Sequence, residues 1–268
     1  MAAAVPLPDT LEFALATAEA AGRAILPHFR AAIGVENKDD HGGYDPVTIA
    51  DREAESVIRA MIRARFPTHG LLGEEHGREA GTEPWTWVID PIDGTKSFVL
   101  GQLHWGVLVA LNDGTRPVLG VSYQPFVGEA FVAIAGGGAE WRRGGEKRPL
   151  RTRRCGRLSD ALVVTTDPRF FAPPREAAAF GAVTDDARFT RYGGDLYNYT
   201  LLAMGLVDVV IETGLKPYDI QAHIPLIESA GGVVTDWSGN DCQDGGDVLA
   251  CGDPTLHAGL LRRIAARA

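Results

Sequence analysis

Apolar residues recur every three or four positions in two stretches near the start of the chain, a spacing that predicts two helices. In the first, Asp9 and Glu12 have the spacing of a capping box, and Pro27 is expected to kink or end the helix. Thr48 is expected to begin the second, with Asp51 as its capping carboxylate. The polar segment 34–44 between them is interpreted as a mobile loop. The apolar positions are Leu11, Leu15, Ala18, Gly22, Ile25 and Phe29 in the first helix and Ala54, Val57, Ile58, Met61 and Ile62 in the second.

Short apolar runs separated by turn residues follow these helices, and they predict strands. The later runs are divided by Asn-Asp-Gly and Pro-x-x-Gly turns, which are typical of an antiparallel meander. Between the first two runs, the Glu-rich piece that ends at Glu83 is interpreted as a solvated loop, and the segment 136–149 as a hairpin or loop. The predicted strands are 71–74, 85–89, 107–111, 118–123 and 130–135.

Strand and helix patterns alternate after Cys155, which indicates a second region of the chain. Mixed antiparallel and alternating elements favour a layered α/β or α+β fold, divided here into 1–154 and 155–268. The predicted strands of the second region are 161–165, 207–212, 233–235 and 248–250, and its predicted helices lie within 168–180, 197–204, 219–230 and 256–267.

Composition and charge exclude several classes of protein. The chain has 268 residues, 45% hydrophobic and 23% charged, and a net charge of −9, which disfavours non-specific nucleic-acid binding. No apolar run approaches the ~20 residues that span a bilayer, and no signal peptide is evident. Three cysteines without a Cys-x-x-Cys pair imply neither a disulfide framework nor a zinc site. We therefore expect a cytoplasmic protein without membrane or nucleic-acid partners.

The segment 87–98 carries the clearest chemical signal. Its apolar run ends on two aspartates, Asp90 and Asp93, and Gly94 and Thr95 follow at once. Buried carboxylates are costly unless they are paired or bind a metal. Free backbone N–H groups at the start of a helix suit an anion. Together these features suggest chemistry on a phosphate ester.

Four acids at the ends of predicted elements form a candidate metal site: Glu74, Asp90, Asp93 and Asp219. Mg²⁺ prefers such oxygen ligands and is often shared with substrate phosphates. Each acid taken alone is more simply explained as a surface or capping carboxylate, although Asp90 follows a strongly apolar run. The spacing likewise favours the capping interpretation of Asp51.

One rival phosphatase class is excluded by a single residue. Haloacid-dehalogenase-type phosphatases use Asp-x-Asp-Gly-Thr, in which the first Asp is the nucleophile. Pro91 stands at that position before Asp93. A phosphoaspartyl mechanism therefore has no nucleophile here, which leaves direct attack by water.

Three motifs together resemble the inositol monophosphatase family: 73–75 (Gly-Glu-Glu), 90–95 (Asp-Pro-Ile-Asp-Gly-Thr) and 218–219 (Tyr-Asp) followed by a helix and Gly-Gly. The resemblance covers about 14–239. It implies a layered α/β/α/β/α fold, a homodimer and two or three Mg²⁺ per site. The metal ligands it implies are Glu74, Asp90, the carbonyl of Ile92, Asp93 and Asp219.

The same resemblance implies roles for the neighbouring residues. Gly94 and Thr95 would hold phosphate, and Asp51 would hydrogen-bond Thr95 near the attacking water. Glu74, Thr95 and Asp51 would be the catalytic residues. Lys38 lies in a loop that carries a lysine in relatives.

Segments 191–197 and 212–219 resemble the histidinol-phosphate phosphatase branch. The ammonium group and imidazole of that substrate could donate hydrogen bonds to Asp195 and Glu212. Alternatively, Asp195 is a turn or cap residue and Glu212 belongs to an ion pair. The substrate-binding residues on this interpretation are Asp93, Gly193, Gly194, Asp195, Glu212 and Asp219. Leu196, His104 and His223 depart from the family pattern, and neither histidine is assigned to metal.

The sequence therefore predicts a Mg²⁺-dependent phosphomonoesterase that hydrolyses L-histidinol phosphate with metal-activated water, as in histidine biosynthesis. The nearer alternative is the same chemistry on inositol 1-phosphate or another sugar phosphate. The more distant alternative is a regulatory protein that binds metal and phosphate ligands without turnover.

Overall fold

A computed structural model describes residues 5–32, 34–37 and 46–267. The helices are α1 (Leu7–Ile25), α2 (Ile49–Arg65), α3 (Thr95–Val99), α4 (Arg175–Thr184), α5 (Leu196–Ala203), α6 (Pro217–Ile220), α7 (His223–Ser229) and α8 (Pro254–Ala265). The strands are β1 (Val35–Asn37), β2 (Pro46–Thr48), β3 (Gly70–Gly73), β4 (Gly77–Glu79), β5 (Thr86–Asp93), β6 (Gly106–Asn112), β7 (Pro117–Gln124), β8 (Glu129–Ile134), β9 (Gly138–Arg143), β10 (Glu146–Pro149), β11 (Leu162–Thr165), β12 (Phe189–Tyr192), β13 (Val209–Leu215), β14 (Val233–Thr235) and β15 (Gly246–Cys251).

Two large sheets organise these elements. The first has the order β10-β9-β8-β7-β6-β5-β3-β4 and is antiparallel except where β3 meets β5. The second has the order β12-β11-β13-β15-β14, in which β11 runs parallel to both of its neighbours. Strands β1 and β2 form a separate antiparallel pair.

The helices cover both faces of each sheet. Alternate residues of β5 and β6 face either α1 and α2 or the layer of α5 to α7, because side chains of a strand point to opposite faces in turn. The same layer packs against one face of the second sheet, and α4 and α8 cover its other face. The predicted α/β/α/β/α arrangement is confirmed. Helix α7 contacts both sheets, and the division at 154 stays a prediction.

Helix starts follow local capping chemistry, with one correction. Thr48 and Asp51 form the predicted capping box of α2. The capping box predicted at Asp9 is wrong, because α1 begins at Leu7 after Pro6 and no side chain caps it. Proline fits the first helical turn, where its missing N–H would have had no partner. Pro27 ends α1 as expected, since the chain passes into a 3₁₀ turn at Leu26–His28.

Three other segments differ from their predictions or refine them. Strand β4 lies in the stretch interpreted as a loop, and it pairs with β3. The helix predicted at 219–230 is two helices, α6 and α7, because in one continuous helix the ring of Pro225 would clash with the carbonyl four residues before it. Strand β1 lies inside the segment 34–44 interpreted as a mobile loop, so that interpretation is wrong for 35–37, and the rest of the loop from 38 onward lies outside the described residues. The hairpin in 136–149 is present as β9 and β10.

The core fills the spaces between the helices and both faces of the two large sheets. Trp87 and Ile89 are fully buried in β5. All three cysteines are buried thiols. No helix in the described part of the chain is both long enough and apolar enough to cross a membrane.

Candidate active site

A bulge at the end of β5 sets the position of the first two acids. Asp90 pairs with Leu108 and Asp93 with Gly106, so three steps along β5 correspond to two along β6. In a regular strand, residues three apart would point to opposite faces. The extra residue, next to Pro91, returns both carboxylates to the same side.

Three aspartates converge where this bulge meets α6. One carboxylate oxygen each of Asp90, Asp93 and Asp219 lies within 4.8 Å of the others. Asp90 is 2% exposed, and its Oδ1 accepts the N–H of Ile92 at 3.0 Å. Asp219 lies in the first turn of α6, where it accepts the N–H of Lys216 at 2.7 Å. Glu74 lines the same cleft. The predicted acids are therefore brought together from the link after β3, from β5 and from α6.

The environment of these acids suits a bound cation. Burial raises the pKa of Asp90 well above its usual range, and the neighbouring Glu74 and Asp93 raise it further. Burial, then Asp195 and Asp219, likewise raise the pKa of Asp93. Oδ2 of Asp93 is buried and accepts no hydrogen bond within the described chain. Carboxylate oxygens are hard ligands, and a divalent cation would offset their mutual repulsion. The cluster can thus hold a metal.

The turn after Asp93 requires glycine. Gly94 has φ +81°, and a Cβ there would lie 2.3 Å from the carbonyl oxygen of His104. It follows Asp93 directly and precedes α3, and Gly94 and Thr95 line the cleft together with the acids. The Thr95 hydroxyl donates to the carbonyl of Ile92 at 3.0 Å.

Asp51 is engaged differently from the expectation. Its Oδ2 accepts the N–H and the hydroxyl of Thr48 at 2.8 and 2.6 Å. The capping interpretation is confirmed, and the expected bond to Thr95 is not formed in the described structure, because both groups have other partners. Burial raises the pKa of Asp51 to about 6, although the bonds from Thr48 lower it.

A cleft of about 590 Å³ extends from the aspartates to three further carboxylates, those of Glu176, Asp195 and Glu212. Glu212 is 2% exposed and accepts hydrogen bonds from the hydroxyl of Thr165 at 3.0 Å and from the N–H and hydroxyl of Thr166 at 2.7 and 2.9 Å. Burial raises its pKa to about 7 against these bonds. Its partners among the described residues are all neutral, so the ion-pair interpretation of Glu212 is not supported in that part of the chain.

Asp195 lies on the opposite side of the turn after Asp93. It precedes α5 with φ +42°, yet its side chain makes no capping bond. Its carboxylate accepts the hydroxyl of Ser97 at 2.7 Å. Burial raises its pKa, and that bond together with His104 and Lys96 lowers it. The alternative of a side-chain cap is therefore not supported, although the residue does sit at a turn.

The other residues named from the sequence that the structure describes do not line the cleft. Gly193 and Gly194 are absent from the lining of the described cleft, and the N–H of Gly193 donates to the carbonyl of Thr166. His223 is fully buried, and its ring stacks on that of Tyr199 with 4.6 Å between the ring centroids. Burial lowers the pKa of His223 to about 3, so its imidazole is neutral. The ring of His104 contacts Tyr197 edge-on at 6.3 Å. Lys38 lies outside the described residues.

Several lining residues carry no obvious signal in the sequence. Lys96 follows the Gly-Thr motif directly, and adjacency alone could have indicated it. Its ammonium group lies 5.2 Å from the ring of Phe170. Thr166, Tyr199 and Lys216 also line the cleft but come from distant elements.

Comparison with known proteins agrees with this geometry. The model of the inositol monophosphatase family matches residues 7–267. A chloroplastic bifunctional phosphatase of Arabidopsis thaliana is 39% identical over 93% of this chain and 73% of its own length. The histidinol-phosphatase of Chlorobaculum parvum is 35% identical over 96% of each chain. The structure of an inositol monophosphatase from Zymomonas mobilis superimposes with a TM-score of 0.85 at 37% identity, over 98% of this chain and 100% of that one.

These relatives support both parts of the resemblance drawn from the motifs. The family match spans nearly the whole chain, and histidinol-phosphatases at 34% and 35% identity support the predicted branch. The clustered acids suit phosphate-ester chemistry of this kind. The chain belongs to the inositol monophosphatase family and is a phosphoric monoester hydrolase.

Proposed function

We propose that this enzyme hydrolyses L-histidinol phosphate with Mg²⁺ as cofactor. The observation that carries the proposal is a pair of the further carboxylates, Asp195 and Glu212, in the cleft that contains the aspartate cluster. Both accept hydrogen bonds only from neutral groups in the described structure. An alcohol phosphate that carries a cationic group would complement the charge of these acids. A phosphate of an uncharged sugar would complement it less well.

Two or three Mg²⁺ would be held by the acidic cluster and its neighbours. The proposed ligands are the carboxylates of Glu74, Asp90, Asp93 and Asp219 and the carbonyl of Ile92. Bound Mg²⁺ would supply positive charge that neutralises the phosphate, lowers the pKa of water and stabilises the leaving alkoxide.

The protein's own groups would orient the reactants. The N–H groups of Gly94 and Thr95 would bind phosphate oxygens beside Asp93. Glu74 and the Thr95 hydroxyl would orient the attacking water. To do so, the hydroxyl would first give up its hydrogen bond to the carbonyl of Ile92. Asp51 is buried at the start of α2. It would influence the Thr95 hydroxyl indirectly, by holding the start of α2 in position.

Asp195 and Glu212 would bind the cationic end of the substrate. The pKa of Glu212 is raised to about 7 by burial, and a bound cation would favour its charged form. Thr165 and Thr166 hold the Glu212 carboxylate in place, and Ser97 holds that of Asp195.

Inositol 1-phosphate is the second candidate substrate, because the similar structure from Zymomonas mobilis is of an inositol monophosphatase. Its hydroxyl groups could also donate to Glu212. The place in histidine biosynthesis and the homodimer come from the resemblance, the cytoplasmic location comes from the composition, and all three stay proposals. Light scattering of the purified protein would test the dimer.

The substrate proposal predicts unequal effects of one substitution. We expect Asp195→Asn to lower kcat/KM for histidinol phosphate about 10- to 100-fold, since a charge-assisted hydrogen bond contributes about 1.5–3 kcal/mol. Hydrolysis of p-nitrophenyl phosphate, which lacks the cation, should change little. Steady-state kinetics on both substrates and on inositol 1-phosphate would measure this. A wild-type enzyme that prefers inositol 1-phosphate would contradict the proposal.

A further inference from the structure

Glu55 is a buried carboxylate on α2 that the catalytic proposal does not use. It is 0% exposed, and it lies against the link between β3 and β4 that contains Glu74. Burial of a charged carboxylate is costly unless it is paired and hydrogen-bonded. Its contacts therefore indicate what it does.

The carboxylate of Glu55 accepts hydrogen bonds from the main chain after Glu74 and packs against the main chain before it. Its Oε2 accepts the N–H of Glu75 at 2.7 Å, and its Oε1 accepts the N–H of His76 at 3.2 Å. On the other side, a Cβ at Gly73 would lie 2.0 Å from Oε1. The main chain from 73 to 76 is thus packed directly around this carboxylate.

Arg59, one helical turn further along α2, completes the arrangement. Its Nε donates to Oε1 of Glu55 at 2.6 Å, and its Nη1 donates to Glu79 at 2.9 Å. It also donates to the carbonyl of Gly77. Arg59 is 2% exposed. This guanidinium neutralises Glu55 and joins α2 to β4, the second strand of the β3–β4 hairpin.

We propose that Glu55 and Arg59 are a positioning pair that holds the main chain around Glu74 and so sets the affinity of the acidic cluster for its divalent cation. The inference rests on the proposed function, in which Glu74 is a metal ligand. Groups that hold ligands in place commonly change metal affinity about 10- to 100-fold when they are replaced. Without the pair, the link would be free to move Glu74 relative to Asp90, which β5 holds separately.

The test is a double-mutant cycle on Mg²⁺ binding, measured by isothermal titration calorimetry with the metal alone. Glu55→Asp keeps the charge that Arg59 needs but withdraws both oxygens from the N–H groups of Glu75 and His76. We expect it to weaken Mg²⁺ binding about tenfold or more. In a Glu74→Gln background the same change should have no further effect, because the group through which it acts is gone.

Asp208→Asn is the matched structural control. Asp208 is 1% exposed, pairs with Arg153 at 2.7 and 2.5 Å, and is absent from the lining of the described cleft. This variant should lower Tm without changing Mg²⁺ affinity. Should Glu55→Asp not fold, Arg59→Lys keeps the charge but loses the planar fork, and it should weaken Mg²⁺ binding in the same direction.

The outcomes separate the inference from the function on which it rests. Wild-type Mg²⁺ affinity in Glu55→Asp, alongside weakened binding in Glu74→Gln, would overturn the positioning role alone. An equal loss from Glu55→Asp in both backgrounds would also overturn it, because the effect would not pass through Glu74. Wild-type affinity in Glu74→Gln would instead remove Glu74 from the proposed ligands.

Discussion

Replacing Asp93 by Asn is expected to lower kcat/KM about a thousandfold while leaving the metal-free protein as stable as the wild type or more so. The loss of activity follows from removing one charged ligand of the proposed Mg²⁺ site. Metal stabilisation of the transition state amounts to several kcal/mol, and about 4 kcal/mol corresponds to about a thousandfold in rate.

The stability of the metal-free variant follows from the surroundings of Asp93. Its Oδ2 is buried and accepts no hydrogen bond in the described structure, and Asp195, Asp219 and Glu74 lie close enough to raise its pKa. An Asn side chain would keep an oxygen for the N–H of Leu196 and would present an amide donor to the neighbouring carboxylates. Relief of repulsion and one new hydrogen bond would stabilise the fold by about 1 kcal/mol.

Two measurements check this prediction: kcat/KM with saturating Mg²⁺, and Tm in the presence of a chelator. Asp208→Asn is the informative control, because it also neutralises a buried aspartate but leaves Arg153 without its charged partner. It should show the reverse pattern, with activity kept and Tm lowered. Near-wild-type turnover in Asp93→Asn would refute the proposed metal chemistry.

The chemistry near β5 was predictable because it is local in sequence. The run before Asp90, the proline after it and the Gly-Thr pair lie within a few residues of one another, so their spacing alone indicates a strand that ends at a turn. Asp219 was harder, because nothing local links it to β5. Its position at the start of a predicted helix made it a candidate only, and the family resemblance implied that it binds metal. The convergence of Asp90, Asp93 and Asp219 is a property of the fold.

Residues whose partners are distant in the chain were missed or misinterpreted. Glu55 gave no signal, since its main-chain partners lie about twenty residues away. For Glu212, the alternative interpretation from the sequence was an ion pair. Its hydrogen-bond partners instead come from the end of β11, which pairs with β13, the strand that carries Glu212. The spacing of residues along the sequence indicates which side chains are neighbours within one helix or strand, but it does not indicate which are neighbours across a sheet.

The split between α6 and α7 is a smaller miss with a structural consequence. The residues between the two helices include Ala222, whose carbonyl oxygen lies against Gly120 of β7. A Cβ on Gly120 would lie 2.0 Å from that oxygen. The link follows directly on α6, which carries Asp219. The distance between the link and the sheet therefore also affects the position of this proposed metal ligand.

Gly120→Ala is therefore expected to destabilise the fold and to weaken the active site together. Overpacking of this kind costs about 1–3 kcal/mol, which corresponds to a fall in Tm of about 2–12 °C for a chain of this size. The link must move away from β7 to admit the methyl group, and Asp219 lies three residues before Ala222. We expect Mg²⁺ affinity and kcat/KM to fall about tenfold, since ligand placement commonly has effects of this size.

Gly156→Ala is the matched control for this change. Gly156 has an ordinary φ, and apart from its neighbours in sequence no atom of the described chain would lie within 4 Å of a methyl group there. Calorimetric Tm, Mg²⁺ titration and kcat/KM on both variants would measure the contrast. An unchanged Tm in Gly120→Ala would contradict the close approach of Ala222 to β7. A lowered Tm with full Mg²⁺ affinity would mean that the link yields without moving Asp219, so that the sheet supports the fold at this point but does not set the geometry of the metal site.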